Sequence, residues 1–105
     1  MSDRVTSEAV RAVVDETTET AIATHADIVA ARRAGRDLAA QLGFKPVDCA
    51  QIATAISELA RNISLYAGSG RILLRVLDDH GRRGIEVVAE GAKMANRRRR
   101  ALLPI

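Results

Sequence analysis

Glu58 and Asn62 stand four residues apart in QIATAISELARNISLY, a segment whose apolar residues recur with helical period. Their side chains therefore share one face of a helix. An acid and an amide at that spacing suit a phosphate–metal site. Asparagine offers a neutral oxygen to Mg²⁺, and glutamate can orient or deprotonate an attacking hydroxyl. By spacing alone the pair also fits a solvated helix face, where Glu/Asn pairs are common. The other reactive side chains are less organised. Cys49 has no companion cysteine and reads as a small packing residue. His25 and His80 fall at a strand end and a turn, and a metal site would need more ligands. Asp78 and Asp79 read as solvated turn residues, and Phe44 and Tyr66 as core or rim packing.

The elements that must position Glu58 and Asn62 follow from periodicity. Ile52, Ile56, Leu59, Ile63 and Tyr66 repeat at steps of four, three, four and three, predicting a helix from about Val47 to Tyr66 with Pro46 in its first turn. Before it, Ile28, Ala31, Gly35, Leu38, Ala39 and Leu42 form the apolar stripe of another helix. Asp27 is placed to cap it or to favour its positive end, and Gly43 is placed as a left-handed cap. Thr20 to Thr24 reads as a short strand, while Val10, Val13 and Val14 fit either a short helix capped by Ser7 or a marginal strand. Gly68-Ser69-Gly70 ends the second helix. RILLRVL (71–77) and IEVVAE (85–90) then read as two strands of an antiparallel hairpin, with turn chemistry in DDHGRRG. Residues 91–105 show no sustained period.

At 105 residues the chain has room for one small domain, and its 48% hydrophobic content excludes wholesale disorder. No apolar run approaches the roughly 20 residues needed to span a bilayer. With one cysteine and no recognisable leader, the expected compartment is the cytoplasm, and no membrane partner is expected. The net charge of +3 is unevenly placed. Residues 91–105 hold Lys93 and Arg97 to Arg100 with no acid, leaving 11 basic and 13 acidic side chains in residues 1–90. The body is mildly acidic. Two aromatic residues are too few for the stacking platforms of single-strand binders, so nucleic acid is not the expected partner.

Gln51 to Ile72, with TAISELARNI followed by YAGSG, closely resembles the N-box region of the anti-sigma regulatory factors. These are serine/threonine protein kinases of the RsbT/RsbW type on the histidine-kinase-like ATPase fold. His25 to Phe44 is similar to the helix that precedes the N-box in the RsbT branch, and the hairpin fits the strands that follow, so the resemblance covers roughly residues 20 to 90. It implies an α+β fold of the Bergerat type, an α/β sandwich with helices on one face of a mixed sheet. The domain would comprise an N-terminal extension (1–19), a partial ATPase domain (20–90), incomplete at its C-terminus, and a disordered basic tail (91–105). The resemblance further implies Glu58 as the catalytic base, Asn62 as the ligand of the Mg²⁺ carried by ATP, and Arg61 as a phosphate or partner contact. The implied substrate is a serine or threonine of a STAS-domain antagonist. A PP2C-type phosphatase or a sigma factor would be further partners in a stress-response partner switch.

One departure bears on activity. The family continues with an Asp-x-Gly-x-Gly box whose aspartate binds the adenine amino group, followed by a second glycine-rich box. Here Gly91 stands at the aspartate's position, and GAKMAN offers no Gly-x-Gly turn. The chain is then either a kinase whose nucleotide site needs completing, or a non-catalytic module for a STAS protein, phosphatase or sigma factor. The tail itself has two readings, an out-of-frame peptide from a GC-rich gene or a basic arm for nucleic acid or an acidic partner. With closing elements missing, an exposed sheet edge is expected, which a partner or a dimer would cover.

Overall fold

The segment DDHGRR turns the chain back on itself in two residues. His80 (φ 56°) and Gly81 (φ 86°) both take positive φ, the conformation that matches a tight hairpin to the twist of its strands. Asp78 Oδ1 accepts from the Gly81 amide at 2.8 Å, and His80 Nδ1 lies 2.9 Å from Asp79 Oδ1, so these acids are turn anchors rather than freely solvated. In the computed structural model, residues 12–103 are described. Ser7 and Val10, where helix and strand were both open, lie outside the described residues.

The elements are β1 (Ala12–Ile22), α1 (His25–Leu42), α2 (Pro46–Tyr66), β2 (Gly70–Asp79), β3 (Arg82–Gly91) and β4 (Met94–Leu102). They form one four-stranded sheet in the order β1-β2-β3-β4, antiparallel throughout. The α+β class stands, but the expected mixed sheet does not. β1 and β2 are joined through a returning pair of helices and the other strands by hairpins, and none of these connections is the single crossover that a parallel pair requires.

Two further expectations are corrected. Residues 12–19, assigned to an extension, belong to β1, which ends at Ile22 and pairs with β2 from Ala12↔Asp79 to Ile22↔Gly70. Residues 94–102, assigned to a disordered tail, form β4 on the edge of β3, from Gly84↔Leu102 to Gly91↔Met94. The strand satisfies the backbone groups along β3, and the pleat divides its arginines between two faces. Arg98 and Arg100 lie on the side away from the helices, opposite Val88 and Glu86, while Arg97 and Arg99 lie on the helix side, opposite Ala89 and Val87.

Both helices pack on one face of the sheet. Ile28, Ala31 and Ala39 of α1 and Ile52, Ile56, Leu59 and Ile63 of α2 meet Ile72 and Leu74 of β2 and Ile85, Val87 and Ala89 of β3 in the core. Phe44 joins this core as expected, but Tyr66 is 72% exposed. Cys49 is buried with its Sγ 3.5 Å from the Phe44 carbonyl, as a packing residue. The start of α1 is a capping box. Thr24, not Asp27, is the N-cap: its Oγ1 accepts from the Asp27 amide at 3.3 Å, and Asp27 Oδ2 accepts from the Ala23 and Thr24 amides at 2.9 Å. At the centre of α1, Gly35 lets the helices touch closely, since a Cβ there would overlap Ile56 Cδ1.

Candidate functional site

Successive helical residues are rotated by about 100°, so α2 presents three faces roughly a third of a turn apart. Ile52, Ile56, Leu59 and Ile63 take the core face. Ala53, Ser57 and Arg61 face α1, lining a groove with Arg32 and Arg36. The third face runs Gln51, Ala55, Glu58, Asn62 and flanks the β3–β4 side of the sheet. Its first two members line a cleft of about 370 Å³ shared with Phe44, Arg99 and Arg100.

Glu58 is exposed and Asn62 half-buried on that third face. Among the described residues neither side chain has a hydrogen bond or ion pair, so the carboxylate and the amide oxygen are both available to a ligand. Arg61, the third residue singled out, lines the groove with α1, about 60° round the helix from Glu58. The cleft ends short of Glu58 and Asn62, at the N-terminal half of α2. Because β4 runs back along α2, with Met94 in the core by Gly91 and Ala67, and Ala101 beside Phe44 and Ile52, Arg97 comes between these levels on the same side.

Gly91 answers the question of the missing aspartate sterically as well as chemically. A Cβ at this position would come within 2.7 Å of Ala67 Cβ and 2.8 Å of Met94 Cγ. Gly91 packs the β3–β4 turn against the end of α2, leaving no space for a side chain. The donor set thus fits one end of a magnesium nucleotide, with two unpartnered oxygen-bearing side chains one turn apart. It does not fit the adenine end. Among the described residues no group of three or more His, Cys, Asp or Glu could hold a metal alone, so a cation here would take most of its ligands from phosphate and water.

An ionic cluster that sequence reasoning missed lies on the other side of the sheet. Glu86 is 5% exposed, and its carboxylate lies 3.2 Å from Arg100, 3.6 Å from Arg75 and 3.8 Å from Arg98. Beside it, Arg71 bridges Glu90 and Glu19. The hydrogen bond and charge of Glu90, followed by the charge of Glu19, push the Arg71 pKa above its usual value. The alternation Ile-Glu-Val in IEVVAE placed Glu86 opposite the core face, but its arginine partners come from elements 11 to 14 residues away.

Neither a family model nor a solved structure matches the chain. Against curated proteins it is similar to the serine/threonine-protein kinase RsbT of Bacillus subtilis (strain 168), 56% identical over 69 residues. That stretch covers 66% of this chain and 52% of the relative, so the chain spans about half the length of the curated protein it matches. Among the described residues no helix is long and apolar enough to cross a membrane.

Proposed function

We propose, on the premise that the chain is a partial member of the RsbT-like family of anti-sigma regulator kinases, that it acts as a partner-switching regulator in the cytoplasm. In this reading α2 addresses the hydroxyl of a serine or threonine on a STAS-domain antagonist. A PP2C-type phosphatase or a sigma factor is the further partner. The observation that carries the reading is the unpartnered pair Glu58 and Asn62, one turn apart on a single face of α2.

Each residue then has a distinct task. The Asn62 amide oxygen would ligate Mg²⁺, a hard cation that prefers oxygen donors. A carboxylate oxygen of Glu58 would accept the proton of the attacking hydroxyl. ATP, when bound, supplies the transferable phosphoryl group. Arg61, turned toward α1, is better placed to meet a partner than a phosphate on the Glu58 face.

A second reading is favoured by Gly91: the same helices recognise the partner without phosphate transfer, since the packed β3–β4 turn offers no carboxylate to adenine. Nucleotide binding separates the two. A fluorescent ATP analogue is titrated into the purified chain with and without Mg²⁺, and into Asn62→Ala. Magnesium-dependent binding that Asn62→Ala abolishes supports the kinase reading. No nucleotide binding, alongside retained capture of a STAS-domain antagonist, supports the binding module. Loss of both overturns the regulator assignment.

A further inference from the structure

We propose that the groove between α1 and α2 is a docking site for an acidic segment of a partner protein, held by Arg32, Arg36 and Arg61. The groove, of about 250 Å³, is lined by these three arginines and by Ala50, Ala53, Thr54 and Ser57, and no acid contributes to it. All three arginines are exposed, and among the described residues none has an ion pair. On the far side of the sheet the pattern is the reverse, since Arg71, Arg75, Arg98 and Arg100 each have a carboxylate within 4 Å. Three uncompensated guanidinium groups therefore stand together on a body that is otherwise mildly acidic.

Spacing selects the occupant. Arg32 and Arg36 are one turn apart on α1, so their backbone origins are separated by about 6 Å. That matches carboxylates one turn apart on a partner helix, or two residues apart on an extended segment at roughly 6.6 Å. Guanidinium forks bind carboxylates bidentately, and two successive forks fix the direction of the segment as well as its charge. Arg61 closes the groove from α2. Thr54 Oγ1 donates to the Ala50 carbonyl at 3.0 Å, leaving its lone pairs toward the groove, while the alanines keep the floor shallow enough for side chains lying across it. A single phosphate would engage one point of this row. An acidic segment uses its length. Arg32 and Arg36, which set the direction of the segment, lie on α1 and not on the helix that carries Glu58 and Asn62.

Fluorescence anisotropy with a fluorescein-labelled hexaglutamate peptide tests the site in the full chain. The triple variant Arg32→Ala/Arg36→Ala/Arg61→Ala should weaken binding by about tenfold or more. The variant Arg97→Ala/Arg99→Ala, which removes charge elsewhere, should stay within about twofold. If the triple variant does not fold by circular dichroism, the single variants Arg36→Ala and Arg61→Ala replace it, each with a loss of about threefold expected. Unchanged affinity in the groove variants, equal loss in the β4 variant, or no binding by the wild-type chain would each overturn the proposal. So would full displacement of the peptide by inorganic phosphate at matched ionic strength, which would assign the groove to a phosphate ion instead. The ATP-analogue titration on the double variant Arg32→Ala/Arg36→Ala reads the nucleotide site separately, and it should be unchanged.

Discussion

Glu86 and Gly91 are the two positions where a single side chain decides most. Glu86→Ala would leave Arg75, Arg98 and Arg100 facing one another without the buried carboxylate that now joins them. The arginines can turn partly to water, so the expected cost is about 1–3 kcal/mol, read from the urea midpoint of unfolding. Gly91→Asp introduces the carboxylate that the resemblance led us to expect at this position, yet it should not confer adenine binding. Its Cβ has to displace Ala67 or Met94, so destabilisation by about 1–3 kcal/mol is expected without gain in ATP-analogue affinity. That Glu58 and Asn62 share one helix face was legible from their spacing. The obstruction at Gly91 was not, because it depends on Ala67 and Met94, contributed by α2 and β4.

Each element's legibility tracked how local its cause is. α2 was readable because Ile52, Ile56, Leu59 and Ile63 carry the whole signal in one segment, and all four are buried. β4 was not, because MANRRRRAL lacks an apolar alternation. Its conformation is set by the edge of β3 and by Glu86 across the sheet. Likewise, β1 has polar residues along most of its length and pairs with a strand some 50 residues away. The start of α1 is local again and makes a testable unit. Thr24→Ala should cost about 1 kcal/mol in the thermal or urea transition. The Ala23 and Thr24 amides hold the Asp27 carboxyl below the usual carboxylate range. Because the folded-state value is the depressed one, this contribution is full above the ordinary carboxylate range and is lost as pH falls through the lowered value. Asp27→Asn should therefore destabilise the protein at neutral pH and flatten the acid limb of its stability profile, measured by urea midpoints from about pH 6 down to about pH 2.

For the molecule as a whole, the arrangement is a sheet with helices on one side and an arginine–glutamate network on the other. β4, at the edge, presents alternating arginines rather than a flat apolar strand, which opposes edge-to-edge pairing with a second copy. The close approach of the helices is tested by Gly35→Ala. The added methyl group must displace Ile56, with Leu74 beneath, so a loss of about 1–3 kcal/mol in unfolding free energy is expected. The overall α+β class and the extent of α2 could be read without coordinates. The antiparallel sheet and the groove that Arg61 shares with Arg32 and Arg36 could not, since both depend on how distant elements are placed.

Gly35 and Ile56 are the chain neighbours of Arg36 and Ser57, which both line the groove between the helices. There the two helices approach closely enough that even one added methyl group has no room. The arginine groove and the Glu58–Asn62 pair are thus carried on two sides of one helix, α2, whose distance from α1 is set by a single missing methyl group.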